Sequence, residues 1–329
     1  MKGLVIKNTG SWYTVLTDDG QELLCKVKGN FRIRKTNLRP TNPVAIGDRV
    51  EVEEGAFITS VCDRRNYIIR RSQNLSRQCH ILAANVDQAV LIVTVAHPET
   101  STTFVDRFLA SAEAYDVPVI LLFNKTDILN GEERQLQQYL IDVYTDIGYT
   151  CIPCSAINPT TLEPLLPLLQ GRITLLSGNS GVGKSTLLNH IIPGLNIRTA
   201  PLSEAHDTGQ HTTTFSTMYP LPSLSDETCS SVSSVSDEKT CSSVLSWVID
   251  TPGIKGFGTL DFRSAEVSHY FPDIFRLSKG CRFSDCTHTH EPGCAVLEAL
   301  ENHRIAPSRY ASYLSILEDR DDAKYRPAF

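Results

Sequence analysis

The stretch RITLLSGNSGVGKS, residues 172–185, joins a short apolar strand to a glycine-rich loop, and KSTLLNHII (184–192) continues it with helical spacing. GNSGVGKS fits the pattern G-x-x-x-x-G-K-[ST] throughout, in the strand-to-helix context that this pattern requires. Glycines let backbone N–H groups approach phosphates, and a helix N-terminus adds partial positive charge. The stretch therefore predicts a phosphate-binding loop at the end of a strand in an α/β sheet.

Two residues of this loop have separate expected roles. Lys184 is expected to reach the β- and γ-phosphates of a nucleotide, and the Ser185 hydroxyl is expected to coordinate Mg²⁺. The predicted nucleotide contacts in the loop are Gly178, Asn179, Ser180, Gly181, Val182, Gly183, Lys184, Ser185 and Thr186.

Two further elements are expected beside the γ-phosphate. Asp250-Thr-Pro-Gly253 ends the next predicted strand, where Asp250 can hold the Mg²⁺ shell and the Gly253 N–H can meet the γ-phosphate. Between this element and the loop lies GQHTTT (209–214). Thr213 is predicted to bind Mg²⁺ through its hydroxyl, with Thr212 as the alternative.

The base is predicted to be guanine. FNKTD ends another buried strand, and in N-K-x-D the carboxylate of Asp127 accepts hydrogen bonds from guanine N1–H and N2. Adenine leaves such a carboxylate unpaired, which disfavours an ATPase. Lys125 is expected to pack along the base and Asn124 to tie this loop to the phosphate site. Ser155-Ala156 ends the following strand and is expected to read guanine O6 through a backbone N–H.

The order of these motifs along the chain is unusual. NKTD and SA precede the phosphate-binding loop, which is followed by the threonine loop and DTPG. An ordinary GTPase begins with the phosphate-binding loop and ends with N-K-x-D and S-A, so this order is a circular permutation. The same doubly wound sheet can form, because chain ends that lie close together can be rejoined elsewhere.

The first 72 residues predict a different domain. LVIKN, YTVLT, ELLCKVK, RVEVE and FITSV read as five short strands separated by turns, which suggests a small barrel of the OB or SH3-like type. Residues 1–80 carry 14 Lys+Arg against 8 Asp+Glu, although the whole chain has a net charge of −6. Within 26–39, KVKGNFRIRKTNLR, six residues are basic and none is acidic. This local charge favours an RNA-binding barrel.

A metal centre is predicted near the C-terminus. Cys281-x₄-Cys286-x-His288-x₅-Cys294 offers three thiolates and an imidazole, a closed set typical of structural Zn²⁺, with His290 as a spare candidate. Cys151-x₂-Cys154 also has metal spacing, but no second pair lies nearby, so these two are expected to be buried core cysteines. The helical segments 295–303 and 308–320 follow the cluster.

Length, apolar runs and cysteine usage indicate the general class of protein. The 329 residues predict two or three domains, and no apolar run approaches the ~20 residues that a membrane helix needs. A cytoplasmic protein without disulfides is expected. The polar tract 223–243 holds nine serines and a near-duplicated segment, and it predicts a mobile insertion in a hairpin loop.

GNSGVGKS, GQHTTT, DTPG and the Cys/His array together resemble the circularly permuted GTPases, specifically the ribosome small-subunit-dependent GTPase A family. The resemblance covers nearly the whole chain. It implies an OB-fold domain (1–72), a circularly permuted α/β P-loop GTPase domain (73–264) and an α-helical zinc-binding domain (265–329). It also implies GTP hydrolysis with Mg²⁺, stimulated by the small (30S) ribosomal subunit during its late maturation. Contact with 16S rRNA through the barrel and zinc domains, one structural Zn²⁺ and a monomeric state are expected with it.

The catalytic group is the main open point. Many GTPases orient the attacking water with a Gln directly after D-x-x-G, but Ile254 stands there. The resemblance supports His211 as the substitute, together with Lys184 and Thr213. Ile254 also keeps open an RNA-binding scaffold that uses GTP only as a structural ligand. Because DTPG leads into the zinc domain, nucleotide state is hypothesised to reposition that domain.

Overall fold

A computed structural model describes residues 1–28, 39–40, 42–71, 78–197, 216–223, 246–251 and 264–318. The strands are β1 Lys2–Asn8, β2 Tyr13–Thr17, β3 Glu22–Val27, β4 Arg39–Pro40, β5 Arg49–Glu53, β6 Phe57–Val61, β7 Tyr67–Arg71, β8 Gln78–Ala84, β9 Gln88–Val93, β10 Val119–Phe123, β11 Thr150–Pro153, β12 Ile173–Gly178, β13 Thr217–Leu221 and β14 Ser246–Asp250. The α-helices are α1 Thr102–Glu113, α2 Gly131–Ile147, α3 Leu166–Leu169, α4 Lys184–Ile191, α5 Pro272–Ser278, α6 Ala295–Glu301 and α7 Pro307–Glu318.

The N-terminal strands close into a five-stranded barrel. β1 pairs with β2 and β5, β2 with β3, and β5 with β6, all antiparallel, while β3 and β6 pair in parallel and complete the ring. Alternate residues point inward because the side-chain period of a strand is two. The barrel core includes Val5, Tyr13, Val15, Cys25 and Ile58. This arrangement confirms the predicted OB-type barrel.

The central sheet runs in the order β11-β10-β9-β12-β14-β13, parallel except for β13. β9, β10 and β14 are buried along their whole length, since apolar clusters cover both faces of the sheet. The motif-bearing ends of β10, β12 and β14 are the carboxyl ends of parallel strands, so they meet at one edge. The predicted permuted α/β fold is confirmed.

The barrel contacts the rest of the chain in two places. Lys7 of β1 pairs with Thr217 of β13, which makes one continuous sheet. In addition, the loop at 42–48 packs on the hairpin β7–β8: Ala84 N–H donates to Ile46 C=O at 2.8 Å, and a Cβ on Gly47 would lie 2.0 Å from the Ala84 oxygen. The sequence did not predict this hairpin.

The C-terminal part is helical, as predicted. A 3-10 helix at Ser264–Tyr270 and the helices α5, α6 and α7 surround a cluster that includes Val267, Phe271 and Tyr313. Arg309 of α7 is 1% exposed and pairs with Asp106 of α1 at 2.6 Å and with Asp273 of α5 at 2.8 Å. This buried cluster fastens the helical part to the central domain.

Among the described residues, no helix is long and apolar enough to cross a membrane. The serine-rich tract lies outside the described residues except for Ser223. The predicted boundary at 72/73 also falls outside them, so the domain limits stay a prediction.

Candidate nucleotide site and metal centre

The N-K-x-D residues follow β10 directly and line a cavity. Asn124 N–H donates to Val93 C=O at 2.9 Å, which extends the β9–β10 pairing by one residue. The cavity has a volume of about 170 Å³ and is open to solvent on the side of Asp127. Its lining is Asn124, Lys125, Asp127, Ile128, Ser155, Ala156, Ile157, Gly183 and Thr186. The structure thus brings together the predicted base-reading residues with the end of the phosphate-binding loop.

Asn124 connects these two parts. Its Nδ2 donates to Val182 C=O in the phosphate-binding loop at 2.7 Å, and its Oδ1 accepts from Ala156 N–H at 2.8 Å. Gly183 passes so close that a Cβ there would lie 2.4 Å from Asn124 Nδ2. Because this buried amide makes hydrogen bonds through both its nitrogen and its oxygen, it fixes the distance between the base cavity and the loop.

Asp127 is held in place from the next strand. Ser155 Oγ donates to Asp127 Oδ1 at 2.5 Å, and Thr161 Oγ1 accepts from Ser155 N–H at 2.9 Å. Because one carboxylate oxygen is oriented by Ser155, the carboxylate is preorganised for a partner with a fixed donor pattern. The role of Thr161 was missed, because it depends on a turn geometry that its sequence position does not reveal.

Lys125 has a positive φ of 67°, and its ammonium donates to the carbonyl of His97. His97 lies in the loop after β9 and was also missed by the sequence analysis. Lys125 also lines the cavity, where its alkyl stem can pack against a flat base.

The phosphate-binding loop has the predicted strand-loop-helix form. Gly178, Gly181 and Gly183 all have positive φ, and a Cβ on Gly178 would lie 2.8 Å from the Ile92 oxygen. Helix α4 begins at Lys184, with Ser185 and Thr186 half-buried in its first turn. The glycines are therefore needed for backbone conformation and for close packing on β9.

The ammonium of Lys184 lies inside the loop and donates to the carbonyls of Gly178 at 2.7 Å and Asn179 at 2.6 Å. Burial lowers the pKa of Lys184 to about 8, and the nearby carboxylate of Asp250 opposes this shift. An anionic ligand would offer the ammonium a far better partner than two neutral carbonyls. The arrangement suits binding of a polyphosphate.

Asp250 ends β14 beside this loop and is buried. In the parallel pairing of β12 and β14 it lies opposite Leu176, and Thr251 Oγ1 donates to Leu176 C=O at 3.1 Å. This brings Asp250 to the edge predicted from sequence. Several other predicted residues lie outside the described part of the chain, namely His211, Thr212, Thr213, Gly253 and Ile254.

The predicted metal ligands form one cluster. The ligand atoms of Cys281, Cys286, His288 and Cys294 all lie within 4.8 Å of one another. His288 Nδ1 is 3.5 Å from the sulfurs of Cys281 and Cys294, which are themselves 3.9 Å apart. A tetrahedral ion with Zn–S bonds of about 2.3 Å holds its sulfurs about 3.8 Å apart. The donor set and its spacing fit a structural zinc ion.

Surrounding contacts orient this cluster. Tyr310 and Tyr313 of α7 donate their hydroxyls to the carbonyls of His288 and Thr287, at 2.7 and 2.8 Å. Cys294 caps α6, since its sulfur accepts from Leu297 N–H at 3.5 Å. His290, the spare candidate, instead contacts the Thr289 hydroxyl. The metal cluster is thus fastened to the helix that carries Arg309.

The second cysteine pair behaves differently. Cys154 and Cys151 pack into different apolar clusters, on opposite sides of the sheet. Burial raises the pKa of Cys154 to about 12 and that of Cys151 to about 11. Both are neutral thiols near pH 7. Cys154 is buried as expected, whereas Cys151 is only partly buried at the margin of its cluster.

Comparisons with known proteins agree with this geometry. The RsgA GTPase family profile matches residues 61–227, and the RsgA N-terminal domain profile matches residues 2–56. A small ribosomal subunit biogenesis GTPase RsgA from Bacteroides fragilis is 55% identical over 333 residues, covering all of both chains. The protein of the same name from Porphyromonas gingivalis is 55% identical over 335 residues, with the same coverage.

Two solved structures share the architecture. YjeQ from Thermotoga maritima superposes with a TM-score of 0.69 at 31% identity and covers 97% of both chains. YloQ, described as a circularly permuted GTPase, superposes with a TM-score of 0.64 at 26% identity, covering 100% of this chain and 96% of the other.

Proposed function

Because the chain belongs to the RsgA GTPase family, we propose that it hydrolyses GTP in the biogenesis of the small ribosomal subunit. The observation that carries the proposal is the Asn124 bridge, with bonds of 2.7 Å to the phosphate-binding loop and 2.8 Å to the Ser155-Ala156 turn. This bridge supports a single site for one guanine nucleotide, assembled from motifs that occur in permuted order. The 30S subunit and its 16S rRNA are the proposed partners, and the cytoplasm is the proposed location.

Each part of the site has a proposed role. Asp127 reads the N1–H and N2 groups of guanine beside the Ser155-Ala156 turn, whose two backbone N–H groups donate to Thr161 Oγ1 and Asn124 Oδ1. Lys184 and the loop amides neutralise the β- and γ-phosphates. Ser185 and Thr213, with Asp250 behind them, are the residues proposed to hold the Mg²⁺ that accompanies GTP and screens phosphate charge.

The water-positioning role falls to His211, since Ile254 can neither donate nor accept a hydrogen bond through its side chain. Gly253 is proposed to contact the γ-phosphate. The zinc ion proposed at Cys281, Cys286, His288 and Cys294 has a structural role, because four protein ligands leave no open position.

The test is GTP hydrolysis titrated with purified small subunits. We expect slow turnover by the protein alone and a clear increase with subunits. Asp127→Asn should lower the preference for guanine over adenine nucleotides at least tenfold, whereas the exposed Asp142→Asn on α2 should not. Unchanged discrimination in Asp127→Asn, or no stimulation by subunits, would contradict the proposal.

A scaffold that uses GTP only as a structural ligand is the second candidate, favoured by Ile254. It predicts nucleotide-dependent binding to subunits without stimulated turnover. His211→Ala separates the two candidates. If the protein is an enzyme, the variant loses stimulated turnover but keeps its nucleotide affinity. If it is a scaffold, subunits stimulate turnover in neither the wild type nor the variant, and nucleotide affinity is again unchanged.

A further inference from the structure

A short loop, here called the metal loop, carries the histidine of the metal cluster. It comprises residues 287–290 and lies between the ligands Cys286 and Cys294. His288 has a φ of +58°, in the left-handed region that is unfavourable for residues with a Cβ. Such a conformation persists only where surrounding contacts hold it in place. The metal loop therefore needs partners that fix its backbone.

The carboxylate of Glu291 binds the N–H side of the metal loop. Its Oε1 accepts from the Thr287 N–H at 2.6 Å and from the Thr287 hydroxyl at 2.5 Å. Its Oε2 accepts from the N–H groups of Thr289 and His290, at 3.0 and 3.1 Å. Backbone N–H groups that converge in this way form a concave site for an anion. Here the anion is the side chain that directly follows the loop.

Helix α7 binds the carbonyl side of the same loop. The Tyr313 hydroxyl donates to the Thr287 carbonyl at 2.8 Å, and the Tyr310 hydroxyl donates to the His288 carbonyl at 2.7 Å. The imidazole points away from these contacts, because its Nδ1 lies 3.5 Å from two of the three ligand sulfurs. The backbone on both sides of His288 is thus fixed by Glu291 and two tyrosines, none of which belongs to the cluster of ligand atoms.

We propose that Glu291 is a positioning residue for the metal centre, which holds the metal loop in its ligating conformation before the zinc ion binds. A carboxylate has about four acceptor positions on its two oxygens. Four donors of the metal loop occupy those of Glu291, so this residue is not itself a ligand. Because the loop is held in advance, zinc binding does not have to order it, which makes binding tighter and release slower.

A carboxylate close to a metal ion could also act through its charge alone, and Asp285 provides the control for that alternative. It directly precedes the ligand Cys286 and is exposed. Asp285→Asn therefore removes one negative charge beside the metal centre and leaves the contacts of the metal loop intact. Glu291→Gln removes one negative charge as well, but its amide nitrogen is a donor and cannot accept from the N–H groups that face it. Comparing the two variants separates positioning from charge.

The test is the rate at which the zinc-loaded, full-length protein releases zinc to a chromogenic chelator. We expect Glu291→Gln to release zinc about tenfold faster than the wild type, as is typical when a group that orients a metal ligand is lost. Asp285→Asn should stay within about twofold of the wild type. A residue that only stabilised the fold would lower resistance to denaturant but leave the release rate of the folded protein unchanged.

A milder pair of variants tests the same contact if Glu291→Gln does not fold. Thr287→Val removes only the hydroxyl that donates to Glu291 Oε1, and it should speed zinc release about fivefold. Thr289→Val removes a hydroxyl that contacts Thr287 and His290 instead, and its release rate should stay within about twofold of the wild type. Release at the wild-type rate in Glu291→Gln, an equal acceleration in Asp285→Asn, or an equal acceleration in both threonine variants would each overturn the inference.

The inference rests on the zinc site of the proposed function, but the failures can be told apart. If metal analysis of the purified wild type finds no zinc, the zinc site is wrong and the role of Glu291 falls with it. If the wild type holds one zinc ion per chain and Glu291→Gln releases it equally slowly, only the role of Glu291 is wrong. If subunits fail to stimulate GTP hydrolysis while Glu291→Gln releases zinc faster, the proposed GTPase function is wrong and the role of Glu291 stands.

Discussion

Replacing Arg309 by methionine should destabilise the protein more than any surface substitution in its C-terminal part. The guanidinium makes three bonds to carboxylates: 2.6 Å to Asp106, and 2.8 and 3.3 Å to Asp273. Methionine fills much of the space but leaves two buried carboxylates without their cation. Breaking a buried pair in this way costs about 3–5 kcal/mol. Domain stabilities are about 5–15 kcal/mol, so the expected loss is a large fraction of the total.

Denaturant unfolding followed by two probes is the appropriate assay. Circular dichroism reports all helices, whereas tryptophan fluorescence reports the barrel and central sheet, because Trp12 and Trp247 lie there. In Arg309→Met we expect the two transitions to separate, as the helical part unfolds first. The exposed Arg304→Met is the matched control and should change stability by less than about 0.5 kcal/mol. A loss below about 1 kcal/mol with coincident transitions would refute the reasoning.

The same variant should show a pH signature. Burial raises the pKa of Asp106, and the Arg309 guanidinium opposes that shift. Without Arg309, the native state holds a proton on Asp106 at pH values where the unfolded state has released it. The loss in free energy of unfolding relative to the wild type should therefore shrink as pH falls from 7 towards 5 and grow as pH rises. Adding Asp106→Asn and Asp273→Asn should recover much of the loss and remove this pH dependence.

Three more predictions concern the nucleotide and metal sites. Gly183→Ala should lower affinity for GDP at least tenfold, because its Cβ would lie 2.4 Å from Asn124 Nδ2. The control is Gly194→Ala, where φ is also positive at +78° but no atom lies close to the added Cβ. This control measures the effect of backbone strain without the clash. Affinity for a fluorescent GDP analogue should fall by up to tenfold per pH unit as pH rises above 8, because the pKa of Lys184 is about 8 in the free protein and bound phosphates favour its charged form. Lys184→Arg should flatten this pH profile. A flat profile in the wild type would contradict the prediction. Cys286→Ser should release zinc to a chelator and loosen the helices α5 to α7, measured by metal release and circular dichroism, whereas Cys62→Ser should do neither.

The motifs could be predicted from sequence because each is local. The strand before GNSGVGKS, the strand before FNKTD and the Cys/His spacing all lie within short windows, and the structure places their described residues together. The contacts that join domains could not be predicted in this way. Arg309 meets partners 36 and 203 residues away, and no periodicity links such positions. The hairpin β7–β8 was missed for a similar reason, since part of its core is supplied by the loop at 42–48.

On the barrel surface, the sequence predicts which residues point outward but not which of them become neighbours. Period-two alternation correctly predicts that Cys25 points inward and Lys26 outward. It cannot show that Trp12 and Phe57 flank Lys26, because that requires the register of β2 against β3 and of β3 against β6. Register is set by turns and by core packing across the barrel, which are properties of the assembled sheet.

The Arg309 cluster also constrains how nucleotide state can act on the zinc domain. The sequence suggested that the segment after DTPG repositions this domain, and that hypothesis stays a prediction. Coupling free energies between sites are typically about 1–3 kcal/mol. A movement that left Asp106 and Asp273 buried without Arg309 would cost about 3–5 kcal/mol, which exceeds that range. We therefore expect a nucleotide-driven movement to keep Arg309 paired with both carboxylates. The zinc cluster, which is fastened to α7 by Tyr310 and Tyr313, should then move together with that helix.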